Sequence, residues 1–296
     1  MIAYGTKKME KYDAIYVHDK SLLTFIPNQT FIEIGKGKAS YRMQRGTFKT
    51  KDRMIDKKRL YYQNKDGDVY TFSDGSTRLD LHVTYDAFIQ IRFDLMGQYN
   101  RMTLYLNADR DEKFYGCGEQ YAHFNHKLKR IAIWVSEHHS VRKLLSKYIR
   151  EKIFGINPDY IGQSKHQQTY YAQPTFLSSQ KYFVHAHTRS YAMFRFAKNQ
   201  TVLHFREIPS HITIGFNPSF IDLSNQLSNL LGKHPKLPEW TEDGAILAIQ
   251  GGPSVIKEKV TRALDYGVKI SGVWSQDWSG HLKTSFGYQV HWNWVY

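Results

Sequence analysis

Residues 273–294, with the sequence VWSQDWSGHLKTSFGYQVHWNW, combine two kinds of side chain that suit the binding of a sugar. Five polar residues that can hydrogen-bond hydroxyl groups alternate there with four tryptophans, namely Gln276, Asp277, Ser279, Thr284 and Gln289, and Trp274, Trp278, Trp292 and Trp294. Sugars offer hydroxyls on their edges and apolar C–H groups on their faces, so a sugar pocket needs carboxylates and amides in one plane and an aromatic wall in another. The alternative is a tryptophan-rich core strand followed by an exposed loop, because tryptophan usually packs against other residues.

The elements before this segment form a pattern that brings strand ends together. Residues 244–249 (GAILAI) are apolar throughout, which indicates a strand buried on both faces, and residues 268–274 (VKISGVW) predict a second strand. A helical pattern lies between them, so the three elements predict one βαβ unit. Because neighbouring parallel strands end on the same side of a sheet, we expect Gln250 to lie near Gln276 and Asp277.

The earlier part of the chain has a different pattern. Short segments with a period of two dominate residues 1–110 and recur up to residue 216, with Gly, Asp and Asn turn signals between them. Strands at this spacing, without helices between them, predict an antiparallel β-sandwich. Residues 219–232 change to a helical period, and the two prolines of LGKHPKLPEW mark a domain boundary. We therefore predict a β-sandwich domain over residues 1–236 and an α/β region over residues 237–296.

Composition limits the classes of protein to which the chain can belong. Its 296 residues, 41% hydrophobic and 15% aromatic, are enough for an ordered core in one large domain or two. Lysine and arginine (41) exceed aspartate and glutamate (27), which gives a net charge of +14. The cations are scattered, and the densest runs, Lys49–Arg59 and Arg142–Lys152, also contain acidic or apolar residues. We expect a generally basic surface and no nucleic-acid partner, with a nucleic-acid site as the alternative.

Few features point to a metal, a cofactor or a membrane. The single cysteine, Cys117, excludes an intramolecular disulfide and a cysteine-based zinc site, and the 14 histidines include no HExxH motif. The N-terminus lacks the apolar run of a signal peptide, and no window approaches the ~18 apolar residues of a membrane span. We therefore predict a cytoplasmic protein without a metal, a cofactor or a membrane partner.

Several longer motifs occur in order over residues 110–296, namely FYGCGEQ, QPTFLSSQKY, LLGKHPKLPEW, AIQGG, and GVWSQDWSG with TSFG and WNW. In these motifs the chain resembles glycoside hydrolase family 31, and it is most similar to the branch that contains bacterial sulfoquinovosidases and related α-glucosidases. The last block is specific, because chance recurrence of so long a pattern is negligible. Residues 1–110 agree with the family only in their strand character.

The resemblance implies a fold and a reaction. The fold is an N-terminal β-sandwich of the galactose mutarotase type followed by a (β/α)8 TIM barrel, of which this chain would contain only the first βαβ unit. The reaction is the exo-acting, retaining hydrolysis of α-glycosides, which uses two carboxyl groups about 5–5.5 Å apart. In the family both are aspartates on later barrel strands, and this sequence ends before them. We therefore expect a truncated, N-terminal portion of the enzyme that is inactive alone.

The resemblance also implies which residues bind the sugar. Gln250, Gln276 and Asp277 would line the pocket from the first two barrel strands, and Trp278 and Trp292 would form its aromatic wall. The predicted pocket thus has polar groups toward the edge of the sugar and aromatic rings toward its face, as the residue types themselves indicate.

Gln289 and Arg142 depart from the pattern or leave alternatives open. Gln289 stands where sulfoquinovosidases place an arginine for the sulfonate, and a neutral amide cannot make the same charge-assisted contact. A neutral glucoside is therefore favoured over a sulfoquinovoside, although His291 or Lys283 could replace the charge. Arg142 survives in a segment whose family glycines are missing, and it either reaches the pocket or is a surface arginine.

Two other functions remain open from sequence. One is a catalytically inactive carbohydrate-binding or scaffold protein, in which an open barrel would leave strand edges unpaired. The other is a nucleic-acid-binding protein, which rests on net charge only.

Overall fold

A computed structural model of the chain describes residues 12–44, 47–135, 169–275, 281–284 and 287–290. The chain divides into two compact units, Met1–Leu231 and Gly232–Tyr296. Among the described residues, no helix is long and apolar enough to cross a membrane.

The described part of the first unit is built almost entirely from strands. Its elements are β1 (Asp13–Val17), β2 (Lys20–Phe25), β3 (Phe31–Gln44), β4 (Thr47–Asp66), β5 (Val69–Ser73), β6 (Arg78–Tyr85), β7 (Ile89–Leu95), β8 (Arg101–Asn107), β9 (Phe114–Gly118), β10 (Arg130–Ile133), β11 (Ala172–Ser178), β12 (Tyr182–Ala186), β13 (Ala192–Phe196), β14 (Gln200–Phe205), β15 (His211–Phe216) and helix α1 (Phe220–Leu231).

Thirteen of these strands form one sheet in the order β10-β13-β14-β8-β3-β4-β5-β6-β7-β15-β12-β11-β9, while β1 and β2 form a separate hairpin. Neighbouring strands in the sheet run antiparallel. The prediction of an antiparallel β fold for this region is therefore confirmed.

Strand β6 shows why such segments become strands. Leu79, Leu81 and Val83 are fully buried, whereas Arg78 and His82, which alternate with them, are exposed. A strand turns successive side chains to opposite faces, so a period of two buries one face and hydrates the other. The hydrophobic pattern thus fixes which face of the sheet points into the core.

The core of the first unit lies between the two ends of this sheet. Phe114 on β9 stacks on Phe196 on β13 with ring centroids 4.7 Å apart. Phe176 on β11 meets the rings of Phe194 and Phe196 edge-on at 6.1 and 5.2 Å. Because β9 and β11 lie at one end of the strand order and β13 lies near the other, the sheet curves until its ends face each other. Instead of the two separate sheets of the predicted sandwich, these strands form one continuous, curved antiparallel sheet.

The described part of the second unit has the predicted α/β pattern. Its elements are a 3-10 helix (Glu239–Glu242), β16 (Ala245–Ile249), α2 (Gly252–Asp265), β17 (Ile270–Ser275), β18 (His281–Thr284) and β19 (Gly287–Val290). Strands β16 and β17 are parallel, with α2 between them in the sequence, and β18 and β19 form an antiparallel hairpin. Gly267 follows α2 with a φ of 74°, as expected of the glycine after a helix end.

Candidate functional site

Strands β16 and β17 end side by side. Their register pairs Ile249, the last residue of β16, with Ser275, the last residue of β17. Gln250 follows β16 directly and is exposed. In the sequence Ser275 is followed by Gln276 and Asp277, which lie outside the described residues. The structure therefore brings together the strand ends that carry three of the predicted sugar-binding residues.

Two glycines let the chain enter and leave β16. A Cβ atom at Gly244 would lie 2.5 Å from the carbonyl oxygen of Lys269, and one at Gly251 would lie 3.1 Å from the side chain of Val255. Gly251 also has a φ of 117°, a region that favours glycine. With no side chain in the way, α2 begins directly after this turn with Pro253 in its first turn.

The prediction that residues 244–249 are buried on both faces is wrong for this structure. Ile249 is buried, but Ile246 is 50% exposed. The physical reason is that, among the described residues, only the one strand β17 pairs with β16, and a single helix leaves much of the pair's surface open. On β17, Val273 is likewise exposed.

Strand β17 carries an exposed aromatic surface, of which only Trp274 was predicted from the sequence. Trp274 is 63% exposed. The ring of Trp240, in the 3-10 helix, lies 3.6 Å from the position that a Cβ on Gly272 would occupy. Since residues 272 and 274 are two positions apart on one strand, Trp240 packs on the face that also carries Trp274. The motif LPEW contains Trp240, but the place where its ring packs, against Gly272, is evident only from the structure.

Gln289 lies in the β18–β19 hairpin. The register pairs Gln289 with Leu282, and Lys283 with Tyr288. The remaining predicted site residues lie outside the described residues: Gln276, Asp277, Trp278, Trp292 and Arg142. Their roles stay predictions.

The FYGCGEQ motif forms β9 and a sharply bent exit from it. Three successive residues, Gly116, Cys117 and Gly118, have φ values of 96°, 64° and 84°. A Cβ at Gly118 would lie only 2.1 Å from the carbonyl oxygen of Tyr171, so only glycine fits there. Cys117 is completely buried, and this burial raises the pKa of its thiol, so the thiol stays protonated and unreactive.

The residues after β9 bind the loop to the first unit. The amide N–H of Glu119 donates to the carbonyl oxygen of Tyr171 at 2.9 Å, and Gln120 Nε2 donates to the carbonyl oxygen of Cys117 at 3.2 Å. His126 is buried, and its Nε2 hydrogen-bonds with the carbonyl oxygen of Gly116 at 3.0 Å. Burial lowers the pKa of His126, so its ring is neutral. These contacts give the motif a structural role in the described chain.

In the part of the chain that the structure describes, no group of three or more histidine, cysteine, aspartate or glutamate side chains is arranged to hold a metal ion.

Comparison with known proteins gives consistent matches. The chain is 34% identical over 295 residues to the sulfoquinovosidase of Escherichia coli (strain K12), and 31% identical over 291 residues to that of Agrobacterium fabrum. Among solved structures it matches a GH31 family sulfoquinovosidase from E. rectale in complex with an aza-sugar inhibitor, at 28% identity and a TM-score of 0.78.

Each of these three matches covers 95% of this chain and 42% of the relative. The chain therefore spans less than half the length of the sulfoquinovosidases that it resembles. No protein-family model matches the chain.

Proposed function

From the resemblance to glycoside hydrolase family 31, which is confirmed over 95% of the chain, we propose that this chain is the N-terminal portion of a retaining, exo-acting α-glycosidase. The observation that carries the proposal is the identity of 34% over 295 residues with a sulfoquinovosidase. The parallel strands β16 and β17, which end at Ile249 and Ser275, the residues before Gln250 and Gln276 in the sequence, support it as the beginning of a (β/α)8 barrel.

The chemistry of such an enzyme divides between this chain and a further segment. Retaining hydrolysis requires one carboxylate to attack the anomeric carbon and a second carboxyl group to protonate the leaving oxygen. We assign both groups to aspartates on later barrel strands that the sequence of this chain does not contain. The chain itself then contributes binding and orientation of the sugar.

Within the chain, the amides and carboxylate at the strand ends hydrogen-bond the sugar hydroxyls. Gln250 acts from the end of β16, and Gln276 and Asp277 act from the end of β17. Trp278 and Trp292 cover the apolar face of the ring. An amide both donates and accepts hydrogen bonds, which suits hydroxyls that do the same.

Two sugars are candidates for the substrate, and each has its own support. The names of the matched relatives support a sulfoquinovoside, a glucoside that carries a sulfonate. Gln289 supports a neutral α-glucoside, because it provides no positive charge where sulfoquinovosidases have an arginine.

The first prediction concerns the isolated chain, which we expect to be inactive. Incubated with p-nitrophenyl α-glucoside or p-nitrophenyl α-sulfoquinovoside, it should release no nitrophenol beyond a heat-denatured control, because the carboxyl pair is missing. A gene product that extends through the later barrel strands should hydrolyse one of the two with retention of configuration, which NMR of the released sugar detects. Hydrolysis by the isolated chain contradicts the assignment of the catalytic pair.

A second candidate function is binding of sugar without catalysis. The exposed rings of Trp240 and Trp274 favour it, because exposed aromatic faces can stack on sugar rings. The same experiment separates the two functions. An extended product that changes its tryptophan fluorescence with α-glucosides but hydrolyses neither substrate supports the binding protein and overturns the enzyme.

A further inference from the structure

Strands β3 and β4 continue beyond their neighbours in the sheet. They pair with each other from Phe31 to Gln44, but β8 pairs with β3 only from Glu33 to Gly35. On the other side, β5 pairs with β4 only from Tyr61 onward. Within the described residues, the outer parts of β3 and β4 therefore form a ribbon of two strands, which we call the ribbon and define as residues 36–42 and 50–56. Positions 36–59 of the sequence contain ten lysines and arginines against two aspartates.

Strand alternation sorts these charges onto one face. The register places Lys38 opposite Arg53 and Ser40 opposite Lys51, and residues directly opposite share a face. Lys36 and Arg42 lie two positions from Lys38 and Ser40, so they belong to the same face. All six side chains are exposed. We call this set, Lys36, Lys38, Ser40, Arg42, Lys51 and Arg53, the cationic face.

The ribbon is attached to the sheet along the backbone edge of β3 and through its opposite face. The Asn100 side chain accepts a hydrogen bond from the Gly37 amide at 3.0 Å and donates one to the Gly37 carbonyl at 3.1 Å. Arg101, which is buried, donates from Nη2 to Asp52 at 2.8 Å, and Arg206 lies 3.7 Å from the same carboxylate. A buried ion pair of this kind holds its partners in one geometry. The attachment therefore turns the cationic face outward and keeps it there.

The cations nearer the sheet have carboxylate partners, and those of the cationic face do not. Lys57 and Arg59 contact the carboxylate of Glu33 at 2.6 and 3.1 Å, and Lys58 contacts Asp74 at 3.2 Å. Among the described residues, no carboxylate lies within ion-pair distance of the five cations of the cationic face. Lys36 donates instead to the neutral amide of Gln98 at 3.0 Å, while Asp56, which lies opposite Lys36 in the register, accepts a hydrogen bond from the Tyr99 hydroxyl at 3.0 Å.

Two like charges that lie directly opposite each other, as Lys38 and Arg53 do, destabilise the pairing of the two strands. A bound polyanion removes this repulsion and releases its own counterions, so the arrangement favours such a partner. The cations follow one another every second residue, roughly 6.6 Å apart along a strand, and a ribbon of two strands fits the major groove of a duplex. The cationic face has no apolar or aromatic side chain, whereas a stable protein interface needs such anchors.

From this geometry we propose that the cationic face binds the phosphate backbone of duplex nucleic acid, without reading its sequence. Arginine and lysine contacts to phosphates fix position but carry no base information, and no residue of the face is placed to stack on a base. The inference is independent of the proposed glycosidase activity. The proposal departs from the sequence-based expectation of a generally basic surface without a nucleic-acid partner, and it adopts the alternative of a nucleic-acid site on one defined face.

The test is the binding of a fluorescein-labelled DNA duplex to the full chain, measured by anisotropy between about 50 and 200 mM KCl. Each phosphate contact contributes about −0.9 to the slope of log K against log salt, so five contacts predict a slope of about −4.5. The K38Q/K51Q/R53Q variant should lose about three of those contacts. Its slope should fall to about −2 and its affinity at low salt roughly tenfold or more.

The matched control is R130Q/R195Q/K198Q, which removes three exposed cations of the same unit away from the ribbon. It should bind DNA within about twofold of the unchanged chain and with the same slope, since these residues make no phosphate contact. A K38R/K51R variant should retain binding, and unchanged thermal unfolding of every variant establishes that each is folded. Absence of binding at low salt, equal losses in both triple variants, or binding only to anionic lipid vesicles or polyglutamate each overturns the proposal.

Discussion

We propose that Gln289 is the residue that decides the charge of the preferred sugar. It lies on β19, paired with Leu282 across the hairpin. A guanidinium at this position would donate charge-assisted hydrogen bonds to a sulfonate, and an amide offers only neutral ones. The difference between the two kinds of bond, about 1–2 kcal/mol, is enough to reverse a preference between two substrates.

We therefore predict that Gln289→Arg, made in the gene product that includes the later barrel strands, shifts hydrolysis toward the sulfonated sugar. The ratio of kcat/KM for p-nitrophenyl α-sulfoquinovoside to that for the α-glucoside should rise roughly 5- to 30-fold. Gln289→Asn is the control, because it keeps a neutral amide and should leave the ratio near that of the unchanged enzyme. An unchanged ratio in Gln289→Arg means that Gln289 does not face the sulfonate position.

Gly118 is the residue whose replacement most directly tests the bent exit from β9. A Cβ there would meet the Tyr171 carbonyl oxygen at 2.1 Å and the Gln173 amide at 2.8 Å, both of which are backbone atoms. Gly118→Ala must therefore move backbone as well as adopt a φ of 84°. We expect it to lower the free energy of unfolding by about 2–4 kcal/mol in urea titrations.

Gly75→Ala is a matched control for this substitution. Gly75 has a similar φ of 87°, but no atom lies within 4 Å of its added Cβ. Its replacement should cost only the backbone strain, about 1 kcal/mol. If both variants lose the same stability, the close approach of Tyr171 is not what requires glycine at position 118.

At the scale of elements, the sequence predicted where strands form better than it predicted which elements cover them. The period of two over residues 1–110 predicted strands, of which β6 is one, and the helical pattern between the two later strands predicted α2. Burial of β16 was predicted wrongly, because an apolar run shows what a strand could bury and not which elements cover it. The charges of the ribbon looked scattered, because a face of a strand uses every second residue. Only the register brings Lys38 opposite Arg53.

The candidate site was predictable to a similar degree. That Gln250 ends a strand beside another strand end follows from the βαβ pattern, and the structure agrees. Prediction of the aromatic surface on β17 would have required knowing that Trp240 packs against Gly272, which is distant from it in the sequence. The facing of Phe114 and Phe196 across the core likewise depends on the curvature of a whole sheet, which no local pattern contains.

At the scale of the whole molecule, three histidines link the stability of the first unit to pH. The rings of His187 and His211 stack with centroids 3.6 Å apart, and His185 meets His187 edge-on at 4.4 Å. Burial and the neighbouring imidazoles lower the pKa of His185 to about 4, and burial also lowers the pKa values of His187 and His211. Arg92, paired with His211 across β7 and β15, acts in the same direction. The folded unit thus favours three neutral rings in one cluster.

The sign of the resulting pH dependence follows from proton linkage. A lowered pKa in the folded state means that the unfolded chain binds protons more readily, so stability is complete above about pH 6.5 and falls as the pH decreases toward 4. For His185 alone the loss is on the order of 3 kcal/mol.

We expect the urea midpoint of the chain to fall between pH 7 and pH 4.5, and His185→Asn, which can still hydrogen-bond Thr175, to reduce that fall. His82→Gln, at an exposed histidine of the same unit, is the control for the removal of a histidine. Carboxylates that titrate in the same range contribute equally to the unchanged chain and to both variants, so the difference between them isolates the buried ring. Equal pH dependence in His185→Asn and the unchanged chain would show that His185 is protonated as readily in the folded unit as in the unfolded chain.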